Sequence, residues 1–137
     1  LEYRRIVEPG CVALAVARAG EVDLVELDRT CESLRASKED LSAFARADLE
    51  FHLALARASK NPVLVKVNTV IRDVLGASWE EIVIALGTRD GLHYHRRILD
   101  ALRRRDAVAA VALMEEHVTR TIDRLKQRAW GKEHAAG

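Results

Sequence analysis

Cysteine, proline and aromatic residues are all scarce in this chain of 137 residues: two Cys, two Pro, and two each of Trp, Tyr and Phe. Two cysteines, Cys11 and Cys31, with no CxxC pair and no third partner, exclude a disulfide-rich scaffold and a thiolate zinc knuckle. They read as reduced core thiols of a cytoplasmic protein, with a single bridge as the alternative. Few aromatic and many Ala, Leu, Val and Arg residues argue against a sheet protein and favour helices. No apolar run approaches the roughly 20 residues of a membrane span, and no charged-then-apolar leader opens the chain, so neither membrane nor export is expected. Charge of one sign is missing as well. Lys and Arg total 22 against 21 Asp and Glu, a net charge of +1, which supplies no chain-wide field for nucleic acid or an acidic partner. The basic runs Arg96-Arg97 and Arg103-Arg104-Arg105 stand beside acids and read as solvated helix surface.

What is present is helical periodicity in one domain's length of chain. Gly, Pro and polar clusters divide it into about six helices. The first spans about Glu2 to Ala19, with Val7, Cys11, Leu14, Ala15 and Arg18 on one face, and stops at Gly20. The second spans about Glu21 to Arg35, with Leu24, Leu27, Cys31 and Leu34 inward. Ser37 and Asp40 stand in capping-box positions for a third helix to about Ser59. Asn61-Pro62 opens a fourth, with Asn as cap and Pro at the first helical position; it runs to about Ser78 and on toward the 80s. The fifth covers about Leu92 to Arg104. The sixth, capped by Asp106, covers about Ala107 to Ala129, and the polar segment 131–137 is expected to be disordered. The expected fold is all-α, an antiparallel bundle of about six helices over residues 1–130.

Four residues break the apolar pattern. In the third helix Asp48 and His52 lie on the stripe of Leu41, Phe44, Ala45, Phe51, Leu55 and Ala56, and their i, i+4 spacing stacks them one turn apart. His95 lies on the fifth helix's stripe with Leu92, Ile98, Leu99 and Leu102. His117 lies on the sixth with Ala110, Met114, Thr121 and Leu125. His93 turns toward Arg96, Arg97 and Asp100, and His134 lies in the terminal segment; neither belongs to the set. Buried polar groups need partners. One inward histidine is an ordinary core residue, but three with an inward aspartate make a ligand set for a divalent ion, zinc first, with nickel or manganese as alternatives. An octahedral ion held by four protein ligands keeps two positions for water or a carboxylate, whereas a tetrahedral one is closed.

An Asp-neutralised divalent ion retains about one positive charge, which would draw in an anion. Arg4 falls on the first helix's buried stripe, where a guanidinium wants a carboxylate to fork onto. Asn68 and Arg72, one turn apart on the fourth helix, are further candidates for lining the same cavity. The opposing readings are an ion pair for Arg4 and a solvent-facing edge for the other two.

These residues carry a resemblance over nearly the whole chain. Arg4 through Glu8-Pro9, the run Asp48-Leu49-Glu50-Phe51-His52, Ala58-Ser59-Lys60-Asn61-Pro62, the run from His95 through Ile98 to Ala101-Leu102, and Met114-Glu115-Glu116-His117 together resemble the FadR C-terminal domain (FCD) family. That is the all-helical effector-binding and dimerisation domain of GntR-type transcription regulators. The six-helix count is similar to the VanR-like branch, and Lys60 stands where the family commonly has Gly. The resemblance implies metal binding by Asp48, His52, His95 and His117, a small carboxylate effector beside the metal, and a homodimer. It also implies a winged helix-turn-helix at the amino end, absent from this chain, through which alone DNA would be read.

Three functions compete at this point. A ligand-sensing regulator domain fits the joined motifs. A hydrolytic metalloenzyme would use the same site to activate water, but Glu50, Glu115 and Glu116 all face outward and no general base is evident. A metal-stapled dimerisation module would carry a closed shell, with Trp79, Ile82, Val83 and Ile84 as apolar surface for pairing.

Overall fold

A computed structural model describes residues 1–135, and among them the backbone is entirely helices and short turns. Six helices follow in order: α1 (Glu2–Arg18), α2 (Glu21–Ala36), α3 (Leu41–Ala58), α4 (Pro62–Leu86), α5 (Arg89–Arg103) and α6 (Ala107–Ala135). The expected all-α bundle is what forms.

α3 is the axis of the bundle. It packs on α1, α2 and α4, and from Phe44 to Ala58 all but Arg46, Glu50 and Arg57 are buried. Alanines at 45, 47, 54, 56 and 58 let neighbouring helices approach it closely, while Phe44, Phe51, Leu53 and Leu55 fill the space between them. α5 and α6 pair with each other and close the bundle against α2 and α1 respectively.

Capping explains most boundaries. The Asn61 side chain accepts from Val63 and Leu64 N–H at 3.0 and 3.3 Å, with Pro62 at the first turn, and Asp106 accepts from Ala109 N–H at 3.0 Å. Asp40, not Ser37, caps α3, accepting from Ala43 N–H at 3.1 Å; Ser37 instead ends α2. α5 begins three residues earlier than expected, at Arg89, because Gly91 sits inside it. A Cβ at Gly91 would lie 3.0 and 3.2 Å from the Phe44 ring, so the glycine marks a close helix approach and not a break. α6 continues through Ala135, past the Gly131 expected to end the ordered chain, with Trp130 stacked on His134 at 4.0 Å. Positions 136 and 137 lie outside the described residues.

Two turns place non-glycine residues in the left-handed region, Lys60 at φ 57° and Arg105 at φ 56°. Such a backbone favours glycine, and each side chain offsets the strain. Lys60 Nζ reaches Asp23 Oδ2 at 2.6 Å. Arg105 donates to the Val16 and Ala19 carbonyls at 2.9 and 2.5 Å, covering the carbonyl end of α1.

α1 corrects the expected face. Its buried residues are Arg4, Glu8, Cys11, Val12, Ala15 and Val16, so Val7, Leu14 and Arg18 rotate out of the core and Glu8 rotates in. α4 corrects another expectation: Trp79 and Val83 are buried in the core, while Ile84 stays exposed. No described helix is long and apolar enough to cross a membrane.

Candidate metal centre

α3, α5 and α6 carry their inward polar residues to one place. His52, His95 and His117 are all buried, and each offers a ring nitrogen within 4.8 Å of the other two. Asp48 joins them, its Oδ1 lying 3.0 Å from His95 Nε2 and 3.3 Å from His52 Nε2. Asp48 Oδ1 and the Nε2 atoms of His52 and His95 meet only as ion pairs short of good hydrogen-bond geometry, and His95 Nδ1 and His117 Nδ1 have no partner of either kind. Buried atoms of this kind are rare in native proteins. A set of imidazole and carboxylate donors that converge without satisfying one another is what a divalent ion, with ligands about 2.0–2.2 Å away, would resolve. The four residues therefore fit the ion the sequence suggested.

Around them lies a second tier. Trp79 donates its indole N–H to Asp48 Oδ2 at 2.8 Å, leaving Oδ1 toward the histidines. Glu8 accepts from Arg4 Nε at 2.8 Å and holds His52 by Nδ1 on its other oxygen, which turns Nε2 toward Asp48. A carboxylate behind a ligating imidazole fixes its orientation and raises its basicity. Arg4 Cζ lies over the Trp79 ring, 4.3 Å from its centroid. His95 stacks on Phe51 at 4.1 Å, and His117 on Tyr94 at 4.9 Å. Glu8 and Trp79 have no place among the site residues read from the sequence. The signal for Glu8 is its i, i+4 spacing from Arg4 on a face continuing through Cys11 and Ala15; Trp79 has no comparable signal.

Electrostatics divides the histidines. Burial disfavours the charged form of His52, but Glu8 and Asp48 outweigh it and raise the ring to about 9. Burial lowers His95 despite Asp48, and burial with the neighbouring His95 and Arg4 puts His117 well below the ordinary range. Asp48 would be raised by burial, yet the His95 and His52 rings hold it well below a usual carboxylate. Glu8, equally buried, is drawn down to about 2 by Arg4 and His52. Two anions thus face Arg4 and a protonated His52, and the buried cluster is neutral. If a divalent ion displaces the His52 proton, one positive charge remains.

A cavity of about 30 Å³ opens beside the cluster, bordered by Arg4, Asp48, Trp79, His117, Thr121 and Arg124 among others. Arg4 Nη2 is buried without a hydrogen-bond partner. The other two expected effector contacts lie elsewhere. Asn68 is buried but spends its amide on the Leu64 carbonyl at 2.8 Å, with Cys11 Sγ at 3.9 Å. Arg72 reaches Glu50 and Asp73 at 3.4 and 3.3 Å and borders a separate groove between α3 and α4. The α4 face that carries both points toward α1 and the outer side of α3, not toward the histidines. His93 and His134 are exposed and outside the cluster.

A family model, the FCD domain, matches residues 1–120. The chain belongs to the FCD domain family. This FCD domain is 28% identical over 128 residues to the galactonate operon transcriptional repressor of Escherichia coli, covering 92% of the chain and 56% of the repressor. It is 29% identical over 120 residues to the repressor NanR of Cronobacter sakazakii, covering 85% and 46%. It is 29% identical over 129 residues to the regulator LutR of Bacillus subtilis, covering 90% and 59%. In fold it is similar to E. coli McbR/YncC, with a TM-score of 0.78 at 24% identity over 93% of this chain and 63% of that one. The chain spans about half the length of the curated relatives it matches. These three relatives are named as transcription regulators and none as an enzyme, and the hydrolytic reading is dropped.

Proposed function

We propose that this FCD domain senses a small carboxylate through a divalent metal ion held by Asp48, His52, His95 and His117, zinc first, with nickel or manganese as alternatives. The observation that carries the reading is the buried convergence of three imidazoles and one carboxylate whose facing atoms leave hydrogen-bonding capacity unmet. Arg4 adds the second half, because it lines the same cavity as Asp48 and His117 and its Nη2 has no hydrogen-bond partner. The acid would bridge the ion and the Arg4 guanidinium, with Thr121 and Arg124 at the outer wall. Galactonate, which names the operon of one relative, is a carboxylate carrying further oxygens, a class that such an ion and arginine would hold. The cavity has room for a carboxylate head, and the body of a larger acid must extend past Leu86 and Gly87.

In this proposal DNA is read by an amino-terminal domain outside the chain, and the regulator works as a homodimer in the cytoplasm. A stripe of exposed apolar residues along α4, with Val63, Val70, Val74 and Ile84 49–71% exposed, supports pairing through that helix. Differential binding of the acid to two packings of the bundle is what would move the DNA-binding heads.

Native mass spectrometry with elemental analysis of the purified chain should report about one divalent ion per chain. Galactonate should then raise the melting temperature of the metal-loaded chain and leave the chelator-treated chain unchanged. A panel of sugar acids and hydroxy acids giving no shift with metal present would refute the sensing role, and a water-free tetrahedral shell by X-ray absorption would favour a structural ion.

A further inference from the structure

A second cavity lies on the other side of His95. It runs between α2 and α5, measures about 280 Å³, and is lined by Cys31, Leu34, Arg35, Lys38, Leu92, His95 and Arg96. None of these but His95 belongs to the metal centre. A cavity of about 150 Å³ lined by apolar side chains already takes benzene, so this one admits a molecule of about eight non-hydrogen atoms.

Its lining is graded. Leu34, Leu92 and Cys31 make apolar walls, with Leu34 and Cys31 buried. At the mouth stand three cations. Arg96 is committed to Asp28 and Glu32, and Arg35 to Glu32, whereas Lys38 is exposed and makes no ion pair among the described residues. On the inner side is His95, only 1% exposed. Its Nε2 is turned to Asp48, and its Nδ1, on the opposite side of the ring, has no hydrogen-bond partner. A buried polar atom left unpaired is costly, and His95 is the residue of the inner wall that carries one.

We propose that the α2–α5 cavity is a second small-molecule site, taking an amphipathic monocarboxylate whose far end carries a hydroxyl. The carboxylate sits at the mouth against Lys38, with Arg35 beside it. The chain covers Leu34 and Leu92, and the hydroxyl pairs with His95 Nδ1. A hydroxyl serves there because it can donate or accept, matching either neutral tautomer of the ring. The site does not require the metal, and it shares no lining residue with the Arg4 cavity. An occupant would nevertheless touch the back of a proposed metal ligand, the position from which such partners change metal affinity about 10- to 100-fold.

The test uses 6-hydroxyhexanoate and hexanoate with the full chain, metal-free and zinc-loaded, by titration calorimetry and by ¹⁵N NMR of the histidine side chains. The expected result is saturable binding of 6-hydroxyhexanoate in both forms, about fivefold tighter than hexanoate for one net hydrogen bond, with the His95 Nδ1 resonance moving on binding. Lys38→Glu, on the surface, should weaken binding at least fivefold, and Leu92→Trp should block it. Arg124→Ala, which alters the other cavity, should leave it intact. Absence of saturable binding would overturn the proposal. So would binding that survives Lys38→Glu and Leu92→Trp, or that is lost in Arg124→Ala, since that acid would be occupying the first cavity. Failure of the metal reading would appear as no bound ion and would leave these outcomes unchanged.

Discussion

Loading the site with a divalent ion should expel one proton from His52, and the structure sets the pH range in which this is seen. In the metal-free chain Glu8 and Asp48 raise His52 to about 9, so at pH 7 the ring is about 99% protonated. To ligate through Nε2 it must give up that proton, at a cost of about 3 kcal/mol at pH 7. Metal affinity should therefore rise about tenfold per pH unit from 7 to nearly 9, and level off above. His95 and His117 contribute nothing to this slope, since their lowered values keep them neutral throughout. An unperturbed trio would instead bind with pH-independent affinity above about 6.5. Calorimetry at pH 7.5 in buffers of different ionisation enthalpy should report about one proton released per ion. Glu8→Gln removes the larger of the two anions' contributions at His52 and leaves Asp48, so the ring is less protonated at that pH and the proton release should shrink. Water bound to the ion can also lose a proton, but that release would persist in Glu8→Gln. Affinity flat between pH 7 and 8.5 in the native chain, or undiminished proton release in Glu8→Gln with helicity intact by circular dichroism, would refute the reasoning.

Further outcomes follow from other parts of the fold. His117→Ala should abolish stoichiometric metal binding, while His93→Ala, on the exposed face of α5, should retain it; equal loss would break the helix-face argument. Gly91→Ala should lower stability by about 1–2 kcal/mol in a urea titration, because the new methyl group meets the buried Phe44 ring at 3.0 Å and overpacking outweighs the gain of about 1 kcal/mol in helix propensity. The metal-free chain should be most stable near pH 6.5. Below it, the unfolded chain takes up protons on His117 and His95 more readily than the folded chain, whose rings are lowered by burial, and stability falls with pH. Above it, the stability gained from the raised His52 is lost progressively as pH approaches 9. Thermal melts across pH 5–9 in the presence of chelator would show this dome, and a monotonic curve would contradict it.

Much of the site could be read from the chain alone, and the reason is that helical periodicity is local. Asp48 and His52 occupy the same stripe as Phe44 and Phe51 because 3.6 residues make a turn, whatever the helix packs against. The same holds for His95 beside Ile98 and for His117 beside Met114. Caps such as Asn61 and Asp106 are likewise decided within a few residues. α1 was less legible, since two faces were available to it. Hydropathy favoured the one carrying Val7 and Leu14, yet the core receives Glu8 beside the expected Arg4, because their mutual ion pair and His52 compensate both charges. That compensation comes from α3, more than forty residues away, and local patterning does not register it.

By itself, then, the amino-acid order determined six helices, the inward faces of α3, α5 and α6, and which four polar residues lie on them. Tertiary packing decided that the four meet, that Glu8 and Trp79 orient them, and that Arg4 faces the metal cavity while Asn68 and Arg72 do not. The division follows from range: hydrogen bonds and side-chain direction within a helix depend on neighbours a turn away, whereas the charge state of a buried group and the space in front of it depend on which other helix fills the opposite side.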